Sequence, residues 1–193
     1  MHLAISCAQS MLEVEANPHN RAALYRILAE ANARLWQREA LLESARKAVE
    51  LNPKSPWGWY WLTEAYSQGE WYASEAAVLK HELTFFTGQK ETDRRSRGQI
   101  FERLGHLYRL AFHHPEIAIE CYRKEIEEYA GLPEGAYRCS GAYMNICRAL
   151  MEDLHDSVAA KRALEEARRI DHPLFRQVLR DELQELGLDR GVQ

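Results

Sequence analysis

Apolar positions recur along this chain at intervals of three and four, and the local pattern itself recurs at long range. Aromatic residues stand at Tyr25, Trp59, Phe101 and Tyr143, separated by 34, 42 and 42 residues. Three positions after each come Leu28, Leu62, Leu104 and Ile146, and one further on the small residues Ala29, Thr63, Gly105 and Cys147. Seven after the aromatic come Asn32, Tyr66, Tyr108 and Leu150. Offsets of 3, 4 and 7 bring all four positions to one face of an α-helix. One such helix is expected in each of four units.

A second series follows the first. Leu42, Ala76, Ala118 and Ala160 keep the same 34, 42 and 42 spacing, and Tyr122 and Leu164 each stand four residues after their alanine. Each unit therefore predicts a second helix. Leu51-Asn52-Pro53 closes the first unit, because proline cannot continue a helix. The units run over 20–53, 55–88 with an extension at 89–97, 98–131 with an extension at 132–139, and 140–172. A leading amphipathic helix is predicted over 2–16, with Leu3, Ala4, Cys7, Ala8, Met11, Leu12 and Val14 mostly on one side. A closing one is predicted over 173–187, with Leu174, Val178, Leu179, Leu183 and Leu186 apolar and Gly187 as its stop. Stacked helix pairs expose an apolar face at each end unless a helix with one polar side covers it. The leading helix reads either as such a cap or as the second helix of a truncated unit.

Two helices per unit, with a small residue where they meet, resemble the tetratricopeptide repeat (TPR). Residues 22–55 carry Tyr25, Leu28-Ala29, Ala45, Ala48 and Pro53 in that family's pattern. Residues 98–139 carry Phe101-x-x-Leu104-Gly105-x-x-Tyr108 and Ala118-x-x-x-Tyr122, and residues 140–173 carry Ile146-Cys147, Ala160, Leu164, Ala167 and Pro173. The resemblance spans roughly residues 20–173. Units two and three depart from it by being 42 residues long, as in the 42-residue variants of the family, and Asn32 stands where the family has Tyr. The resemblance implies an all-α solenoid of about four antiparallel helix pairs, wound as a right-handed superhelix and capped at both ends, with the whole chain as one domain.

Composition agrees with helices and excludes much else. Ala (25), Leu (23), Glu (23) and Arg (19) fill nearly half of the 193 positions, whereas Ile, Val and Thr together supply 18. So few β-branched residues do not furnish a sheet fold. A net charge of −4 gives no reason to expect a nucleic-acid partner, and the short basic stretch Lys90–Arg97 is interleaved with Glu91 and Asp93. No apolar run approaches the ~18 residues that cross a bilayer, so no membrane partner is expected. Cys7, Cys121, Cys139 and Cys147 form no CxxC pair, which argues against structural zinc. Four unpaired thiols suit a reducing cytoplasm.

In the family this chain resembles, the first helix of each unit lines a concave groove. Carrying the register over, the residues beside the packing stripe are Arg26 and Glu30 in unit one and Trp57, Tyr60, Trp61 and Glu64 in unit two. They continue with Gln99, Arg103, His106 and Arg109 in unit three and Met144, Asn145 and Arg148 in unit four. Segment 57–61 reads WGWYW. A two-residue step is about 200° around a helix, so one stripe cannot bury Trp57, Trp59 and Trp61 together. Trp57 and Trp61 are either recognition anchors or covered by flanking helices. The equivalent groove position changes from Glu30 and Glu64 to His106 and Arg148, with Arg103 and Arg109 beside His106. That pattern fits an extended peptide with an acidic segment near unit three, or else internal ion pairs. The two-carboxylate clamp that some members use on chaperone tails is mostly missing.

No phosphate loop, HExxH or GxSxG is present, and His113-His114 before Pro115 reads as a solvated turn rather than a metal site. No enzyme activity, cofactor or metal is expected. The expected role is a protein–protein interaction module, a scaffold, adaptor or co-chaperone that holds a peptide segment or partner helix in the groove. The alternatives are a secretion-type chaperone and a homo-oligomer assembled through the solenoid ends. An enzyme or RNA binder is the remotest reading.

Overall fold

The computed structural model describes residues 1–170 and Arg176, and all described secondary structure is helical. Apart from Arg176, the closing helix expected over 173–187 falls outside the described residues. The chain divides into two compact units, Met1–Phe85 and Phe86–Gln193.

The first unit holds α1 (His2–Val14), α2 (Pro18–Arg34), α3 (Arg38–Leu51), α4 (Pro56–Gln68) and α5 (Tyr72–Glu82), closed by a 3₁₀ turn at Leu83–Phe85. Starts are written locally. Asn17 caps α2 by accepting from the His19 amide at 2.8 Å, and Pro18 and Pro56 sit in the first turns of α2 and α4, where a missing N–H costs nothing. Successive helices pack as neighbours, and α2 also touches α4. Leu41, Ala45, Ala29, Leu62 and Ala65 are buried in one cluster, so the recurring aliphatic and small positions do form the strip of core between helices. Asn32 carries its own partner: its amide lies 3.3 Å from the buried Ser44 hydroxyl.

The second unit holds α6 (Glu91–His106), α7 (Pro115–Tyr129), α8 (Gly135–Arg148) and α9 (Ser157–Ile170). Residues 91–97 and 135–139, parts of the two sequence extensions, become the opening turns of α6 and α8. The lengthened α6 packs on α7 through two glycine–tyrosine pairs. A Cβ at Gly98 would collide with the ring of Tyr129, and one at Gly105 with the ring of Tyr122. The pairs are seven residues apart on both helices, the spacing of two turns run in opposite directions. Both tyrosines are buried, so α6 uses glycine where a large ring on α7 must lie flat against its backbone.

The two units end their first helices differently. In all four, the chain leaves the helix through a non-glycine residue in the left-handed region: Trp36, Glu70, His113 and His155, with φ of 57°, 59°, 55° and 54°. In the first unit the next amide bonds five residues back, from Gln37 to Asn32 and from Trp71 to Tyr66, as in a Schellman end. In the second unit it bonds six back, from His114 to Tyr108 and from Asp156 to Leu150. One additional residue per helix is absorbed as a π-turn at Leu107–Ala111 and Ala149–Asp153. The acceptors are the residues at +7 of the sequence pattern.

Candidate functional site

The five residues of WGWYW divide among four environments. Trp59 turns toward α5: its ring lies 4.2 Å from that of His81, and its indole N–H donates to the Pro53 carbonyl at 2.9 Å. Gly58 is buried, where a Cβ would stand 3.3 Å from a methyl of Val49, so its lack of side chain lets α4 close on α3. Trp61 packs on the core of the first unit, and its indole nitrogen is buried without a hydrogen-bond acceptor among the described residues. Trp57 and Tyr60 remain outside, 61% and 40% exposed. The three rings off the packing stripe nevertheless form one edge-to-face ladder, with centroids 6.1 Å apart from Trp57 to Tyr60 and 5.0 Å from Tyr60 to Trp61. The buried end fixes Trp61, and the ladder holds the exposed rings in orientation.

Trp57 also walls a cleft of about 380 Å³ between α2 and α4, closed behind by the end of α3. Ala48 and Gly58 leave its floor open, and His19, Arg26 and Asn52 supply its polar groups. Asn52 lies 3.2 Å from the His19 ring nitrogen Nδ1. Arg26 is partly buried and makes no ion pair or hydrogen bond with the described residues. Glu30, by contrast, is engaged by Arg34 at 2.7 Å. Glu64 is partly buried. The first unit therefore brings together Arg26, Trp57, Tyr60 and Trp61 of the groove residues read from the sequence.

In the second unit Arg109, one of the expected groove residues, serves to join helices. Arg109 bonds Glu152 and Asp153, the latter at 2.6 Å, so its guanidinium ties the end of α6 to the end of α8 rather than facing a ligand. Glu102 pairs with Arg138 at 3.2 Å, and Arg95 with Glu134, making three rungs between the same two helices. Met144 is buried in the core. His106 stacks edge-on to Tyr122, with the hydroxyl 3.3 Å from its Nδ1. Burial, with Arg109 and Arg148 nearby, pushes its pKa down against the pull of Glu102. Gln99 is exposed, and Arg103, Asn145 and Arg148 are partly buried.

By sequence Glu125, Glu127 and Glu128 read as a solvated helix face, and for Glu125 the structure corrects this. Glu125 is buried in α7 with one carboxylate oxygen unpartnered among the described residues. Burial pushes its pKa up to about 8, with Glu102 adding to the rise and Arg138 opposing it. Glu127 and Glu128 follow it in the chain, and only its place on the inner face of α7 distinguishes it. Among the described residues no three His, Cys, Asp or Glu gather as metal ligands, and no helix is long and apolar enough to cross a membrane.

No protein-family model matches the chain, and no curated protein matches it in sequence. Solved structures do. A crystal structure of MamA superposes with a TM-score of 0.67 at 19% identity, covering 86% of each chain. A second MamA structure gives 0.65 at 17% identity, over 98% of this chain and 86% of that one. YrrB, a TPR protein with an unusual peptide-binding site, gives 0.52 at 15% identity, over 92% of this chain and 97% of its own. Likeness of this kind, at such low identity, shows a shared fold.

Proposed function

We propose that this chain, which has the fold of a tetratricopeptide-repeat protein, is a protein-interaction module that holds a peptide segment of a partner against α2 and α4. The observation that carries the reading is the exposed edge of the Trp57–Tyr60–Trp61 ladder beside a cleft that contains the unengaged Arg26. Aromatic side chains held in orientation at a surface supply contact area at little entropic cost, and they dominate binding energy where they are found at interfaces. Arg26 adds a directional group for a carboxylate or a peptide carbonyl. The peptide-binding site of YrrB, on the same fold, supports this kind of partner. The four cysteines are all free, and three of them are buried, which supports a reducing compartment such as the cytoplasm.

Affinity purification should recover a defined partner, whose binding to the purified chain is then measured by calorimetry. The double variant Trp57→Ala, Tyr60→Ala should weaken that binding by about 2 kcal/mol or more, the usual size of a hot spot, while helicity and melting temperature stay as they are. Arg26→Ala should weaken it by a smaller amount. Undiminished affinity in the double variant would rule the aromatic edge out as the binding surface.

A further inference from the structure

Two glutamates of the second unit face each other across α6 and α7. Glu102 stands four residues after Gly98 and three before Gly105, and Glu125 stands four before Tyr129 and three after Tyr122. Gly98 meets the Tyr129 ring and Gly105 the Tyr122 ring, so the antiparallel register sets the two carboxyls opposite each other between those contacts. One cation attends them. Arg138 of α8 bonds Glu102 at 3.2 Å, and its guanidinium lies 5.5 Å from the centre of the Tyr129 ring, which is one turn beyond Glu125. Tyr122 and Tyr129 on α7 and Cys139 on α8 also face Glu125, and His106 follows Glu102 by one turn of α6. Burial disfavours the charged form of all four. Two carboxylates and one guanidinium would leave an unbalanced negative charge. Oε2 of Glu125 is closed off from solvent and has no hydrogen-bond donor among the described residues. The buried Glu82 of the first unit differs, because it accepts from the Thr63 hydroxyl at 2.9 Å. Facing carboxyls with one counter-charge in a dry site hold one proton as a pair. The raised pKa of Glu125, set first by burial and then by Glu102, agrees.

We infer that Glu102, Glu125 and Arg138 form a proton switch that sets how α8 is tied to α6. While the pair holds its proton, Glu125 is a neutral acid, Glu102 carries the charge, and Arg138 bonds Glu102 from one helix to the other. When the proton passes to solvent water, the second charge appears on a buried oxygen that has no donor. A buried carboxylate left unpaired is far costlier than a partly exposed one, and the Glu102 side chain is 32% exposed. Arg138 therefore turns to Glu125 and leaves Glu102 to water. The ties at the ends of the two helices, Arg95 to Glu134 and Arg109 to Glu152 and Asp153, do not involve Glu125. The change is confined to the middle of the α6–α8 pair, where Glu102 becomes a free acceptor. The switch belongs to the second unit and stands apart from the binding surface proposed on the first.

Carbon-detected NMR of the full chain, labelled at glutamate Cδ and arginine Cζ and titrated from about pH 5 to about pH 10, tests it. The Glu125 and Arg138 signals should move together with one midpoint, at about 8, and Glu102 should show a step at the same pH. Glu125→Gln should abolish the step at Arg138 and keep Arg138 on Glu102 throughout. Glu102→Gln should lower the Glu125 midpoint by about one pH unit, and Arg138→Gln should raise it by about as much. Both replace partly exposed side chains, and circular dichroism checks that helicity is kept. The titration of the unsubstituted chain stands without any variant. A Glu125 midpoint in the ordinary carboxylate range, an Arg138 signal that stays still through the Glu125 step, or an Arg138 step that survives Glu125→Gln would overturn the inference.

Discussion

The two compact units share one sequence register and join their successive first helices by different means. In the first unit, α2 and α4 meet through small and aliphatic side chains, and the aromatic rings left over stand at the surface. In the second, α6 and α8 are connected by three ion-pair rungs, and their ends are lengthened by π-turns. The packing positions are common because each helix pair must bury the same strip of core. The positions beside them are unconstrained by that core, so one unit presents aromatic surface there and the other spends the same places on internal pairs. A groove residue assigned by register alone is therefore a statement about location and not about availability, as Arg26 and Arg109 show.

The largest expected effect tests the glycine–tyrosine packing of the second unit. Gly105→Leu drives a side chain into the Tyr122 ring and should cost about 3 kcal/mol, the upper range for overpacking, read by chemical denaturation. An equally mild outcome at Gly105 and at Gly141, where a Cβ meets nothing within 4 Å, would show that α6 and α7 do not approach so closely. In the first unit, Trp61→Ala should cost about 2–3 kcal/mol, somewhat less than a fully buried Trp, whereas Trp57→Ala should stay within about 0.5 kcal/mol. Similar losses at the two tryptophans would erase the division of the ladder into a buried and a free end.

Glu125 predicts a pH dependence that belongs to the second unit. Its pKa is about 8 in the folded chain against 4.5 as the reference value, so the folded state keeps a proton that the unfolded state has released. Stability should accordingly fall as pH rises from about 4.5 to about 8, then level off. Glu125→Gln removes that slope and should gain about 2–3 kcal/mol relative to wild type between pH 5 and pH 9, at roughly 1.4 kcal/mol per unit of pKa difference less what relaxation recovers. Identical pH profiles for the two proteins would place the carboxyl in solvent.

The smallest effect concerns the helix ends. Glu70→Gly and His113→Gly relieve a left-handed backbone that costs L-residues about 1–2 kcal/mol, offset by glycine's greater freedom when unfolded. Each should raise stability by about 0.5 kcal/mol, and the two should match, because both residues have the same φ despite the different turns that precede them. A gain at one alone would show that the π-turn carries strain of its own.

The helices, their order and their register follow from the chain by itself, because the 3-4-7 stripe of Tyr25, Leu28, Ala29 and Asn32 and its recurrences are periodic and local, and a helix needs nothing further to present one face. The fold of solved structures with under 20% identity agrees with that reading. The extensions illustrate the limit of length arithmetic: eight added residues announce themselves in the spacing, but their place in the opening turns of α6 and α8 depends on what they pack against. Only the tertiary structure separates Trp57 from Trp61, ties Arg109 to residues more than 40 positions away, and buries Glu125 while Glu127 stays exposed. Each of those outcomes is set by which side chain another helix covers, and such contacts bridge separations that no periodic pattern encodes.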